Sequence, residues 1–395
     1  MTKRVLIMTR TDINTNPAPR RMVEWMMEEG YDVDVLCTAS TITYPGLERA
    51  RLISFPSCPP LGFFKKAQGF LGLCLLRQCP ALTWNASISG AYEMLKGQDY
   101  DLIIAHDIYL IVLGERLARE QNAKFVFDAR EFYPRQNDVD WFWRLFIKPY
   151  RVALCRDYMP KADLMLTVSP GLADAYAKQF GLPRPVVVES MARYHDRAPE
   201  VRDARAIRIL HHGAVAPQRG MDRMVEMMDY LDDRYTLDLV MVESGYFQAY
   251  SRKVRAMAST RKNVRIIEPV GYSDIIPFSS QYDISLITFP TDSFNIVHSL
   301  PNKFYESIQA RLAICVGESP DMAYIVQQYG LGEVATGSTA KDWAAAIARM
   351  DRAAVECYRK NAHQAAQHIH SATSGAVAKQ AIRALFSSTG TQKAV

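Results

Sequence analysis

Residues 299–322 read SLPNKFYESIQARLAICVGESPDM. Pro301 stands where a helix start tolerates proline, and Asn302, Lys303 and Glu306 follow on the first turns. The helical pattern runs into AICV at 313–316, a continuous apolar run rather than an alternating one. A short strand that is apolar at every position belongs to a parallel sheet covered by helices on both faces. This helix–strand step is the unit from which the rest of the chain is built.

The same step recurs on both sides. Apolar runs at 5–8, 33–37, 102–105, 125–127, 164–168 and 186–188 read as buried strands, and a second series follows at 207–211, 237–242, 264–267 and 284–287. Helical patterns separate them. Pro19 marks a first turn and Gly30 a stop. Met221, Met224, Val225, Met228 and Leu231 share one helical face, which is core packing. Residues 191–205 (MARYHDRAPEVRDAR) are polar and charged, and the strand–loop–helix order restarts after them. The reading is an α/β chain of two doubly wound domains, 1–195 and 196–372. A helical segment at 373–395, ending in a polar tail, packs back on the first domain.

Composition bounds the function. The chain has 395 residues, 49% of them hydrophobic and 23% charged, which excludes a disordered or fibrous protein. The 47 Lys and Arg against 42 Asp and Glu leave a net charge of +5 with no long basic run, so nucleic acid is not implied. The cysteines are Cys37, Cys58, Cys74, Cys79, Cys155, Cys315 and Cys357, an odd number without a C-x-x-C pair; this fits buried thiols in a reducing cytosol. No signal peptide is visible, and the most apolar stretch, 61–76, is interrupted by Lys65, Lys66 and Gln68. A cytoplasmic protein is expected. Two basic, apolar stretches suit the inner face of a membrane: 61–76, and 141–156 with Trp141, Trp143, Arg144 and Arg151. The second also reads as an ordinary helix on the first sheet.

Four segments carry candidate chemistry. At 299–306 a helix end offers amides to an anion, Lys303 adds a cation, and Glu306 lies where a carboxylate accepts hydrogen bonds from a ribose diol. A solvated helix with an ordinary Lys and Glu carries the same residues, and the segment's own physics leaves both readings open. At 211–220 (HHGAVAPQRG), Gly213 permits close backbone approach and Arg219 presents a fork of donors suited to phosphate. At 125–134 (FVFDAREFYP), Asp128 and Glu131 flank Arg130 after a strand, where open α/β sheets bind ligands. At 105–107, His106 and Asp107 close another strand. The first loop, with Arg20 and Arg21 at its end, lacks G-x-G-x-x-G, which counts against a dehydrogenase. D-x-D occurs at 32–34, 99–101 and 138–140 without the partners that a metal site needs.

These segments together resemble the retaining GT-B glycosyltransferases of the family-4 type, in particular those that build bacterial polysaccharides. The likeness rests on S-L-P-N-K-x-x-E at 299–306, the turn GLGEVA at 330–335, the 211–220 turn, D-x-R-E-x-Y-P at 128–134 and A-H-D at 105–107. It implies two facing domains with a cleft between them, the first binding the acceptor and the second a nucleotide-diphosphate sugar. It implies transfer to a glycan or lipid-linked hydroxyl with retention, without metal or other cofactor. It assigns the pyrophosphate to amides around Ser299 and Leu300, with Asn302, Lys303, Gly213 and Arg219; the ribose to Glu306; the sugar side to His298; and the base region to Tyr272. His106, Asp107, Arg130 and Glu131 become the catalytic group, with Arg20 and Asp128 on the acceptor side. Two departures stand out: His298 occupies the place of the family's first glutamate, and Ala214 that of its first cation. They keep open a nucleotide-sugar epimerase of GT-B fold and a non-catalytic partner subunit.

Overall fold

The computed structural model describes residues 2–56, 84–200, 206–243 and 245–387. The basic stretch 61–76, Cys58, Cys74, Cys79, the end of the polar linker and the tail beyond Ser387 lie outside the described residues. The chain divides into two compact units, Met1–Glu189 with Ser374–Val395, and Ser190–Thr373.

The first unit is built on a parallel sheet of seven strands: β1 (Arg4–Met8), β2 (Asp32–Cys37), β3 (Arg51–Ser54), β4 (Leu102–Ala105), β5 (Lys124–Ala129), β6 (Leu164–Thr167) and β7 (Val186–Val187). Their order is β3-β2-β1-β4-β5-β6-β7, so the chain winds outward from β1 on one side and returns to build the other half from β4. The second unit repeats the scheme with β8 (Ile207–Ala214), β9 (Tyr235–Val242), β10 (Val264–Ile267), β11 (Ile284–Ile287), β12 (Ala313–Val316) and β13 (Gly332–Val334), ordered β10-β9-β8-β11-β12-β13. Both are α/β Rossmann-like units. In such sheets the ends of the strands on either side of the reversal part company, and the gap between their loops is the natural ligand site. The reversals fall between β1 and β4 and between β8 and β11.

Burial explains why these runs were legible. Val5, Leu6, Ile7 and Met8 are all fully buried, as are all four residues of β4. Two strands escape such a reading, β3 and β13. Both are sheet edges and neither holds a fully buried residue, so neither needs a continuous apolar run. Arg51 of β3 is instead held by Asp34, whose Oδ1 accepts from its Nε at 2.9 Å.

From Ser374 onward the helix Ser371–Ser387 belongs to the first unit. Ala378 and Ile382 join the core around Trp25 and Met26, and Lys379 and Arg383 pair with Glu28 and Glu29. Gly375 sits against Trp25, where an added Cβ would stand 2.5 Å from the indole nitrogen. The first helix starts at Pro17, which puts Pro19 in its first turn, and is capped by Asn16, whose side chain accepts from the Ala18 amide.

Candidate functional site

The second unit's reversal gathers the side chains of His211, His212, Arg219, Lys303 and Glu306. β8 carries a histidine doublet just before its last two residues, Gly213 and Ala214. His211 is buried, and its Nδ1 lies 2.7 Å from the Leu286 carbonyl oxygen of β11. A carbonyl only accepts, so Nδ1 carries the proton and Nε2 is left as a lone pair. That lone pair faces Lys303 Nζ at 3.5 Å, the long end of hydrogen bonding. Burial, then the Lys303 charge, hold His211 far below its ordinary pKa, which agrees with a neutral ring.

Lys303 comes from the helix Asn302–Gln309 and is half-buried. Its pKa is pushed down to about 7, by burial first and by the Arg219 charge second, with Glu306 opposing. Gly213 makes the room. Its φ is +148°, and an added Cβ would stand 2.6 Å from Lys303 Nζ. Arg219, in the turn Pro217–Arg219, lies over the Phe289 ring at 5.1 Å, and Lys303 lies over the same ring at 5.4 Å. Glu306 is buried one turn beyond Lys303, with His212 Nε2 at 3.8 Å from Oε2. Burial and the Lys303 charge push His212 down to about 3, so this is a neutral ring beside a carboxylate. The arrangement presents two cations and a buried carboxylate at one strand end.

The first unit's reversal is organised by a carboxylate. Asp128, on β5, is buried beside His106, which follows β4. His106 Nδ1 lies 2.8 Å from Asp128 Oδ2, and Arg130 Nη1 donates to the same oxygen at 3.3 Å. Burial alone would raise the carboxyl; the Arg130 charge and the His106 contact overcome it and hold Asp128 at about 2. The carboxylate fixes the imidazole, and Nε2 is buried with no hydrogen-bond partner among the described residues. Asp107 accepts from the Tyr109 amide at 2.9 Å, capping the turn Ile108–Leu110, and burial raises its pKa.

The structure therefore brings together Gly213, Arg219, Lys303 and Glu306 in one unit, and His106, Asp128 and Arg130 with Asp107 in the other. Other expected site residues stand elsewhere or are already engaged. The Ser299 amide donates to the Ile296 carbonyl at 3.2 Å and its hydroxyl to the same oxygen at 2.8 Å, so this amide is spent within its own turn. Leu300 is buried in the core around Phe304, and Asn302 opens the helix. His298 Nδ1 pairs with Asp321 Oδ2 at 2.8 Å. Tyr272 is 45% exposed in a turn. Glu131 has an exposed side chain, and its carbonyl accepts from Tyr176 Oη at 2.6 Å. Arg20 is buried, donating to the Asn14 carbonyl at 3.0 Å and stacked 3.7 Å over Tyr44; it braces its own loop. Gly332 in the 330–335 turn has a packing reason, since an added Cβ would stand 1.9 Å from the Ile314 carbonyl oxygen of β12. The D-x-D carboxylates serve the scaffold: Asp34 holds Arg51, Asp101 accepts from the Arg4 amide, and Asp138 pairs with Arg135.

Sequence reasoning passed over His211 and His212. The doublet HH before Gly213 was the available signal, because polar residues in a buried strand need a partner. Between Trp141 and Arg156, Trp143, Tyr150 and Leu154 are buried while Trp141, Phe142 and Leu145 are exposed. Among the described residues no group of three or more His, Cys, Asp or Glu gathers as metal ligands, and no helix is long and apolar enough to cross a membrane.

Residues 15–189 match the family model of the glycosyl transferase 4-like domain. No curated protein sequence matches the chain. Among solved structures, HepE from Anabaena in complex with UDP and glucose superposes with a TM-score of 0.70 at 14% identity, covering 97% of this chain and 100% of its own. Sucrose-phosphate synthase from Thermosynechococcus elongatus gives 0.73 at 14% identity, covering 98% and 100%. An α,α-trehalose-phosphate synthase (UDP-forming) from Burkholderia vietnamiensis gives 0.65 at 11% identity, covering 98% and 100%. The fold is that of the GT-B glycosyltransferases.

Proposed function

We propose that this protein is a retaining, metal-independent glycosyltransferase that moves a sugar from a nucleotide-diphosphate donor to a hydroxyl acceptor. The observation that carries this is Lys303 beside Gly213: a half-buried cation with a lowered pKa, leaning on a neutral histidine, at the strand-order reversal of its sheet. Glu306 offsets this cation only in part and makes no direct ion pair with it, and a diphosphate is the anion that a Rossmann-like reversal receives.

In this reading Lys303 and Arg219 take the diphosphate and stabilise the charge that develops as it departs. Glu306 accepts from the ribose hydroxyls. Gly213, Leu300 and Asn302 border the phosphates, Tyr272 the base, and His298, fixed by Asp321, the sugar. His106, oriented by Asp128, faces the reacting sugar or acceptor through Nε2, with Asp107, Arg130 and Glu131 around it. The sugar C1–O bond to the diphosphate breaks, the acceptor oxygen bonds to C1, and its proton passes to the leaving diphosphate. Catalysis then rests on positioning and charge stabilisation. The UDP complex of HepE makes uridine the first base to try. The acceptor is a glycan or a lipid-linked hydroxyl of cell-surface polysaccharide. The exposed Trp141, Phe142 and Leu145 support a peripheral, cytoplasmic place at the membrane.

The test is a thermal-shift screen against nucleoside diphosphates and nucleotide sugars, with and without EDTA. At ligand about 100-fold above Kd, a true ligand stabilises by about 2.7 kcal/mol. One base is expected to stand out and to survive EDTA. No shift with any nucleoside diphosphate would overturn the reading. Turnover of a nucleotide sugar without any acceptor would favour an epimerase instead.

A further inference from the structure

The first unit holds a second cation that the reading above leaves unused. Arg151, on the helix Lys148–Tyr158, is 2% exposed. Its Nε and Nη1 are buried with no hydrogen-bond partner, and no carboxylate lies within ion-pair reach among the described residues. Its guanidinium stacks on the Tyr109 ring, 4.0 Å from the centroid. A second guanidinium, that of exposed Arg10, lies 5.0 Å from the same centroid. Asp107 senses both positive charges, and its carboxylate already accepts from the Tyr109 amide. Burying a guanidinium with open donors is costly unless an anion completes it.

The placement gives this cost a purpose. Arg10 follows β1, and His106, Asp107 and Tyr109 follow β4, the two strands that flank the reversal of the first sheet. Two guanidinium groups held against one ring, 4.0 and 5.0 Å from its centroid, bring more positive charge to this strand end than a singly charged carboxylate neutralises, and suit a doubly charged phosphate with several acceptor oxygens.

We propose that Arg151 and Arg10 form a phosphate subsite at the reversal between β1 and β4, which holds a phosphate group carried by the acceptor. The anion site stands on the first unit alone; its assignment to the acceptor rests on the transferase reading.

The test titrates inorganic phosphate into the protein by calorimetry with saturating UDP, so that the second unit is occupied. If UDP does not bind, which would count against the transferase reading alone, the titration is made in the Lys303→Met background. Phosphate is expected to bind, at least tenfold more weakly to Arg151→Met and unchanged to the exposed control Arg144→Gln. The melting temperature of Arg151→Met should stay level or rise, because a buried charge without an anion has been removed. Should that variant fail to fold, Arg151→Lys carries the test, with phosphate affinity down at least threefold and UDP affinity unchanged. Absence of phosphate binding in the wild type, or equal binding in the Arg151 variants, overturns the subsite. A soluble sugar phosphate and a polyprenyl diphosphate in micelles are then competed against phosphate. Competition by either identifies the source, and competition by neither overturns the assignment to the acceptor.

Discussion

The two strand-order reversals solve the same placement problem with charges of opposite sign. In the first unit a buried carboxylate, Asp128, meets His106 and Arg130 and stays ionised well below the usual range. In the second a lysine meets a neutral histidine and a nearby arginine, and its charged form is disfavoured near neutrality. The Asp128 charge is compensated by protein groups, His106 and Arg130, so it stabilises the fold with no ligand present, while His106 Nε2 stays open among the described residues. The Lys303 group is under-compensated, because His211 supplies only a lone pair, Arg219 repels, and Glu306 offsets burial and repulsion only in part. A self-compensated cluster points to positioning; an under-compensated one points to binding. Removal of the central charge should therefore do opposite things in the two units.

The largest effect is expected from Asp128→Asn. Removing one partner of a buried pair strands the others and costs about 3–5 kcal/mol. Urea unfolding should report that loss. The sign with pH follows from the depressed pKa: the contribution is present above the ordinary value of 3.8 and is lost as pH falls through about 2. An unchanged midpoint would remove the contrast between the units.

Lys303→Met should leave stability level or raised, and lower nucleoside diphosphate affinity about a hundredfold. That is the upper range for a charge-assisted hydrogen bond, about 1.5–3 kcal/mol. Loss of stability without loss of affinity would make Lys303 a scaffold residue. Glu306→Gln keeps the shape and removes the charge, and should weaken the same ligand about tenfold or somewhat more. If the ligand is bound equally well, the ribose is not at Glu306.

pH offers a gentler probe. Below about 7 Lys303 is charged in the empty site; above it, a diphosphate must draw a proton from solution as it binds. Affinity should fall by up to about tenfold per pH unit above 7. Calorimetry at pH 8 should show heat that depends on the buffer's ionisation enthalpy. In the empty protein the same group adds stability as pH rises from about 7 toward its ordinary 10.5, since the unfolded chain holds the extra proton there. Heat independent of buffer would show that Lys303 is charged throughout. The smallest effect belongs to His298→Ala: nucleoside diphosphate affinity should barely change while turnover of the full sugar donor drops. Equal losses for His298→Ala and Glu306→Gln in nucleoside diphosphate affinity would misplace the sugar.

The sequence carried much of this and stopped at identifiable points. Strands buried on both faces, such as Val5–Met8 and Leu102–Ala105, are apolar throughout, so they stand out without a structure. The edge strands β3 and β13 have no such requirement and stayed hidden. Gly213, Lys303 and Glu306 were legible as candidates because a glycine at a strand end and a cation at a helix start each have a local reason. Their convergence was not, because residues 213 and 303 are 90 positions apart and meet only across β8 and β11. His211 is the sharpest case: HH says nothing of tautomer, which the Leu286 carbonyl decides. Arg20 is held within its own loop by the Asn14 carbonyl and the Tyr44 ring, and Gly332 by the closeness of the Ile314 carbonyl, contacts that the chain does not announce.

What the sequence determined alone is the class of fold, two α/β units, since apolar periodicity is a local property that burial imposes residue by residue. What only the tertiary structure decided is which charges are already paid and which are not. Compensation depends on distances between strands remote in sequence, and a Coulomb interaction inside a protein is fixed by those distances and by burial rather than by order along the chain.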